Sequence, residues 1–123
     1  FIEGIQNEPM KDLVKNLAFD KAVVNLATPS SIQFPHTHGT STVITYYINP
    51  DWKKEYYGET IFYDDSMTHC IGTSLYHTNS AVIFDGKIPH SIRPASHIAP
   101  SYRFSLSVFF RQKNFIEEAK NSS

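Results

Sequence analysis

The run Tyr102-Arg103-Phe104-Ser105-Leu106-Ser107-Val108-Phe109-Phe110 alternates in character along most of its length. Successive side chains of a strand point to opposite faces. One face therefore carries Arg103, Ser105, Ser107 and Phe109, and the other Phe104, Leu106, Val108 and Phe110. The second face is core. The first holds a lone cation, which has two readings. Arg103 lies on a solvent face, or it is buried and needs a partner, since an unpaired interior charge is costly. The natural partner of a guanidinium is a carboxylate gripped through two parallel hydrogen bonds.

The remaining chain reads as short strands separated by turns. Val43 to Asn49 is the strongest, closed by Asn49-Pro50-Asp51. Lys21–Ala27, Thr60–Tyr63 and Ala81–Phe84 are further strands, with Asp85-Gly86 as a turn. One or two short strands fall within residues 67–76, and another within Ser91–Arg93. Ile5, Met10, Leu13, Val14 and Leu17 recur at helical spacing, so residues 5–18 are predicted to form a packing helix. Residues 113–120 are predicted as a short last helix. Short strands in the middle and helices at the ends predict a mainly β closed sandwich or jelly roll, cupin-like in outline.

At 123 residues the chain is expected to form a single domain, 1–123, large enough for a real core. The first residue is Phe1, which leads to the expectation that N-terminal residues are missing. The formal charge is −1, with lysines and arginines scattered, so neither nucleic acid nor anionic lipid is an expected partner. No apolar run is long enough to span a bilayer. A single cysteine, Cys70, excludes an internal disulfide framework and a multi-cysteine zinc site, and fits a cytoplasmic setting.

Histidines carry the candidate chemistry. His36 and His38, two residues apart, share one face if the segment is extended. Imidazole suits iron, copper, zinc or nickel. His90, after Pro89, is a third candidate ligand, and a jelly roll is a fold in which it can lie far away in sequence and near in space. His69, His77 and His97 read as surface residues. The loop Asp51–Tyr57, with Trp52, Tyr56 and Tyr57, is either a lid over a substrate or an ordinary packed loop.

These pieces come in a particular order: His36-Thr37-His38, Ile44 to Trp52, Gly58-Glu59-Thr60, Phe84-Asp85-Gly86, His90, then Tyr102 to Ser107. The set resembles the iron(II)/2-oxoglutarate-dependent oxygenases of the prolyl-hydroxylase type over roughly residues 21–111. The resemblance implies a double-stranded β-helix that uses iron(II), 2-oxoglutarate and O2 to hydroxylate a C–H bond of a small-molecule or peptidyl substrate, releasing succinate and CO2. It implies metal ligation by His36 and His90. It implies a co-substrate carboxylate held by Arg103, with the Tyr47 hydroxyl and Ser107 beside it.

One position departs from the family pattern: His38 stands where the family has Asp. Three neutral imidazoles would leave the centre more positive than two imidazoles and a carboxylate. Two alternatives therefore stay open. One is a three-histidine metal dioxygenase that uses no 2-oxoglutarate. The other is a degenerate jelly-roll module that binds a metal or small acid without turnover.

Overall fold

The computed structural model describes residues 15–29 and 33–112. The predicted C-terminal helix lies outside the described residues, as do residues 5–14 of the predicted N-terminal one. The end of that first helix is corrected. Residues 15–16 form a turn, and Leu17 and Ala18 already belong to strand β1, Leu17–Ala27. Leu17 suits either period, and its pairing opposite Gln112 decides for the strand.

Six more strands follow: β2 Thr42–Tyr47, β3 Thr60–Tyr63, β4 Cys70–Ser74, β5 Ala81–Asp85, β6 His90–Ile92 and β7 Arg103–Gln112. All pairings are antiparallel, in a four-stranded sheet of order β1-β7-β2-β5 and a three-stranded sheet of order β4-β3-β6. The crossovers and the face-to-face sheets make a double-stranded β-helix, the jelly roll. Among the described residues, no helix is long and apolar enough to cross a membrane.

β7 is the central strand of the larger sheet, and its alternation separates two interiors. On one face Val108 and Phe110 join Ile44 in a buried apolar cluster, with Leu17, Ala81, Ile83 and Leu106 packed against it. The register puts Ile44 opposite both Val108 and Ile83. On the other face Arg103, Ser105, Ser107 and Phe109 are all buried and look toward the smaller sheet. The solvent-face reading of Arg103 fails: the residue is 1% exposed.

Two local devices set which side chains look inward. β1 carries an irregularity between Phe19 and Lys21. Phe19 pairs with Phe110 on the apolar-cluster face, whereas Lys21 pairs with Phe109 on the inner face. A bulge shifts the two-residue period by one and re-aims every later side chain. Lys21, Val23 and Asn25 therefore face inward. At the start of β7, buried Asn49 acts as a clamp. Its amide donates to Ser101 Oγ (3.2 Å) and the Tyr102 carbonyl (2.7 Å), and its Oδ1 accepts from the Phe104 N–H (2.6 Å).

Candidate metal and anion site

Between the sheets lies a cavity of about 240 Å³, walled by β1, β2, β5 and β7 on one side and by Thr60, His90 and Ile92 on the other. Its two ends differ in chemistry.

The histidine end is built from main-chain contacts. His36 and His90 form an isolated antiparallel bridge beyond the edge of β6, each N–H donating to the other's carbonyl at 3.0 Å. Each follows a proline and an apolar residue, in Phe34-Pro35-His36 and Ile88-Pro89-His90. Proline holds the preceding residue extended, and that carbonyl then faces the imidazole. His36 Nδ1–H donates to Phe34 O (3.1 Å), and His90 Nδ1–H to Ile88 O (2.9 Å). The proton so fixed on Nδ1 leaves each Nε2 free as a lone-pair donor, the arrangement metal-ligating histidines use.

His38 arrives from the other direction. Its N–H donates to Gly86 O (2.7 Å), and the Gly86 N–H donates back to Ser41 O (2.7 Å). A Cβ on Gly86 would lie 2.6 Å from Ser41 O and 3.0 Å from His38 Cβ, so only glycine permits this approach. The His38 ring stands edge-on to Phe109, with centroids 5.0 Å apart.

Ring centroids of the three histidines are 4.5–4.9 Å apart. One nitrogen from each ring lies within 4.8 Å of the others. Metal–imidazole bonds are about 2.0–2.1 Å, so the three nitrogens would have to draw closer to share one ion. Burial, followed by neighbouring His90, His36 and Lys21, lowers the His38 pKa to about 4. Burial also lowers that of His90. Both are therefore neutral, as ligands must be, at ordinary pH.

The arginine end is dry and strained for partners. Arg103 Nε donates to Gly58 O (2.8 Å) and Nη1 to Ser105 Oγ (3.3 Å), while Nη2 is buried with no partner. Burial lowers the pKa of the guanidinium, a direction that reports the cost of its desolvated charge. Its back is fixed by aromatics, with Cζ 5.1 Å from the Tyr76 ring centroid and 5.7 Å from that of Tyr47. Gly58, at φ 84°, lets the chain turn directly against the arginine, and a Cβ there would meet Arg103 Cδ and Nε at 3.2 Å.

The six residues singled out from sequence are placed as follows. His36, His38, His90, Arg103 and Ser107 all line the cavity. Ser107 Oγ accepts from Asn25 Nδ2 (3.1 Å) and pairs with Thr45 Oγ1 (3.2 Å). Tyr47 stands one layer behind the wall. It is fully buried, with its hydroxyl bonded to Thr60 Oγ1 and Ser74 Oγ, both at 2.9 Å. His69, His77 and His97 are exposed. Within Asp51–Tyr57, which is mostly exposed, Trp52 is the anchored residue. Trp52 Nε1–H donates to Tyr57 O (2.7 Å), and its ring packs on Tyr76 with centroids 4.8 Å apart.

Sequence reasoning missed Lys21, Asn25, Thr60 and Ser105, which also line the cavity. The parity that exposed Arg103 also held Ser105. Lys21 and Asn25 were hidden because their facing depends on a bulge and on pairing with β7. A larger, open groove of about 840 Å³ runs past Tyr57, Glu59, Arg93 and Pro94–Ile98. Among the described residues, it shares no lining residue with the cavity and holds no cluster of potential ligands.

Fold and site together define a jelly roll with a three-histidine cluster and a buried, half-satisfied arginine in one chamber. Solved structures share that fold. One is a Pseudomonas putida prolyl-4-hydroxylase: TM-score 0.61 and 19% identity, over 85% of this chain and 63% of that one. Another is a prolyl hydroxylase from Trichoplax adhaerens in complex with a hypoxia inducible factor oxygen degradation domain peptide fragment. It gives a TM-score of 0.60 and 15% identity, over 82% of this chain and 49% of that one. The match thus spans between half and two thirds of those proteins, and at such identities the likeness is one of fold. No protein-family model matches the sequence, and no curated protein matches it.

Proposed function

We propose that this chain is an iron(II)- and 2-oxoglutarate-dependent oxygenase domain that hydroxylates a C–H bond of a small-molecule or peptidyl substrate. The observation that carries the reading is Arg103 Nη2, a buried donor without a partner, in the same 240 Å³ cavity as three convergent imidazoles. A dicarboxylate with a metal-chelating end answers both halves at once. The two structural neighbours, both prolyl hydroxylases, support the same reading.

In this reading His36, His38 and His90 hold the ion. Nη2 of Arg103 donates to the far carboxylate of the co-substrate, with Ser107 and Thr60 supplying hydroxyls along the wall and Tyr47 holding Thr60 in place. Iron(II) with 2-oxoglutarate and O2 would supply the oxidising chemistry, leaving succinate and CO2. Phe84, Phe109, Val43 and Ile92 line the chamber and keep water from the reacting atoms. The exposed, unpaired Cys70 suits a reducing, cytoplasmic compartment.

Anaerobic titration of iron(II)-loaded protein with 2-oxoglutarate tests this. The expected result is the weak visible charge-transfer band of a chelated keto-acid, lost in the Arg103→Ala variant at the same concentrations. A second reading, a three-histidine dioxygenase independent of 2-oxoglutarate, is favoured by His38, which replaces a carboxylate ligand with a neutral one. Metal binding with no band, together with O2-dependent turnover that survives Arg103→Ala, would establish that second reading.

A further inference from the structure

The cavity has an unusual charge inventory. Among the described residues that line it are two fixed cations, Lys21 and Arg103, and no aspartate or glutamate. Glu59 influences Arg103 from outside the cavity, and Arg93 sits beside that carboxylate at 3.8 Å. Imidazole binds a metal as a neutral ligand, so a divalent ion held by all three would keep its charge uncompensated. A dicarboxylate at Arg103 would cancel no more than the ion's own charge. Arg103 and Lys21 would still leave the chamber positive.

Lys21 sits where that excess would be felt. The bulge between Phe19 and Lys21 turns it inward, opposite Phe109. Its Nζ stands 5.0 Å from the Phe109 ring centroid, and the His38 ring packs on the same phenyl group, also at 5.0 Å. Lys21 is thus the cation nearest the histidine end, while Arg103 anchors the other. It has no ion-pair partner among the described residues. Together with Val23, Asn25 and Gln33 it forms the solvent-facing rim, where a primary substrate would enter.

We infer that Lys21 is a specificity-determining residue: it binds an anionic group, carboxylate or phosphate, on the primary substrate and holds it on the β1 side of the three histidines. The inference rests on the proposed function for the site's remaining occupants, since it takes the Arg103 end as filled by the co-substrate. With an uncharged substrate, solvent alone would offset the charge of the exposed lysine.

The test is a titration of zinc-loaded protein, saturated with 2-oxoglutarate, with acetate, inorganic phosphate and, as the neutral control, acetamide. The readout is the amide NMR shifts of Lys21, Asn25 and Phe109. Zinc gives no turnover, and the same titration is read on metal-free protein. Wild type and the Lys21→Arg variant should bind at least one anion, and acetamide should not. The Lys21→Met variant keeps the stem over Phe109 and should bind about fivefold more weakly, the loss of one partly exposed charge pair. It should also bind zinc more tightly, because a repelling charge has gone.

Preference for acetate or for phosphate distinguishes the two anion types. Equal anion affinity in the Lys21→Met variant, or no Lys21-dependent shift in any sample, overturns the inference. Failure of 2-oxoglutarate itself to shift Arg103 and Ser105 is a separate result, and it counts against the proposed function alone.

Discussion

The two ends of one cavity solve opposite problems. At the histidine end, main-chain carbonyls fix the Nδ1 protons of His36 and His90, and the rings remain half-exposed or only just buried. At the arginine end, a cation has been taken wholly out of water and left with one donor unpaired. The first region gathers three imidazoles on a main-chain frame. The second carries a cost that an acceptor placed against Nη2 would relieve, because an unmet buried donor costs more than a typical hydrogen bond contributes. Each end is also backed by one glycine, Gly86 behind His38 and Gly58 behind Arg103. The comparison teaches that main-chain contacts can hold side chains in place at little cost, whereas burying a cation short of partners stores a cost in the fold.

If the ends are independent, His90→Ala should abolish tight metal binding, read by equilibrium dialysis, while leaving the arginine end folded. Arg103→Met should do the reverse. Metal affinity stays, 2-oxoglutarate affinity falls about a hundredfold, and the melting temperature without ligand stays level or rises, since the uncompensated charge has gone. A lower melting temperature for Arg103→Met would break the claim that the cation is held at a cost.

The glycines sharpen the contrast at smaller amplitude. Gly86→Ala and Gly58→Ala should each cost about 1–3 kcal/mol in denaturant unfolding, the first through overlap with Ser41 O and His38, the second through its positive φ and its contact with Arg103. Gly86→Ala should weaken metal binding and spare the co-substrate, and Gly58→Ala the opposite. Equal loss at both ends in either variant would show that the cavity behaves as one unit.

The smallest effect is in pH. His38 has its folded pKa lowered to about 4 from 6.5, and that of His90 is lowered too. The unfolded chain therefore binds more protons than the folded one between those values. Metal-free protein should keep full stability above pH 6.5 and lose it progressively as pH falls toward 4. Bound zinc, which holds its ligands deprotonated, should leave the onset in place, steepen the loss and carry it to lower pH. A metal-free melting temperature flat across this window would contradict the neutral cluster.

Much of this was legible in the chain. The alternation from Arg103 to Phe110 gave a strand with two faces, and the structure shows both buried around different interiors. The strand Thr60–Tyr63 falls where turn residues bound it, and β2 and β5 differ from expectation by a residue or two at their ends. What stayed hidden was non-local. Leu17 fits a helix by spacing and a strand only by its partner Gln112. Lys21 reads as an ordinary strand position until the bulge is known. The partners of the Tyr47 hydroxyl, Thr60 and Ser74, come from the opposite sheet, so they too follow only from the packing of the two sheets. One local signal went unused. Phe34-Pro35-His36 and Ile88-Pro89-His90 are two copies of one pattern, and such a repeat could have coupled two distant histidines.

That repeat has an evolutionary consequence. His36 and His90 hold each other in register through reciprocal main-chain bonds, which any side chain at position 38 leaves intact. The centre is thus a fixed pair with an exchangeable third socket. A single codon at position 38 can swap imidazole for carboxylate and retune the hardness of the donor set, and with it the choice of ion. None of the His36–His90 main-chain bonds runs through position 38, so such a change would act on the donor set first and on the frame only through the ring's contact with Phe109.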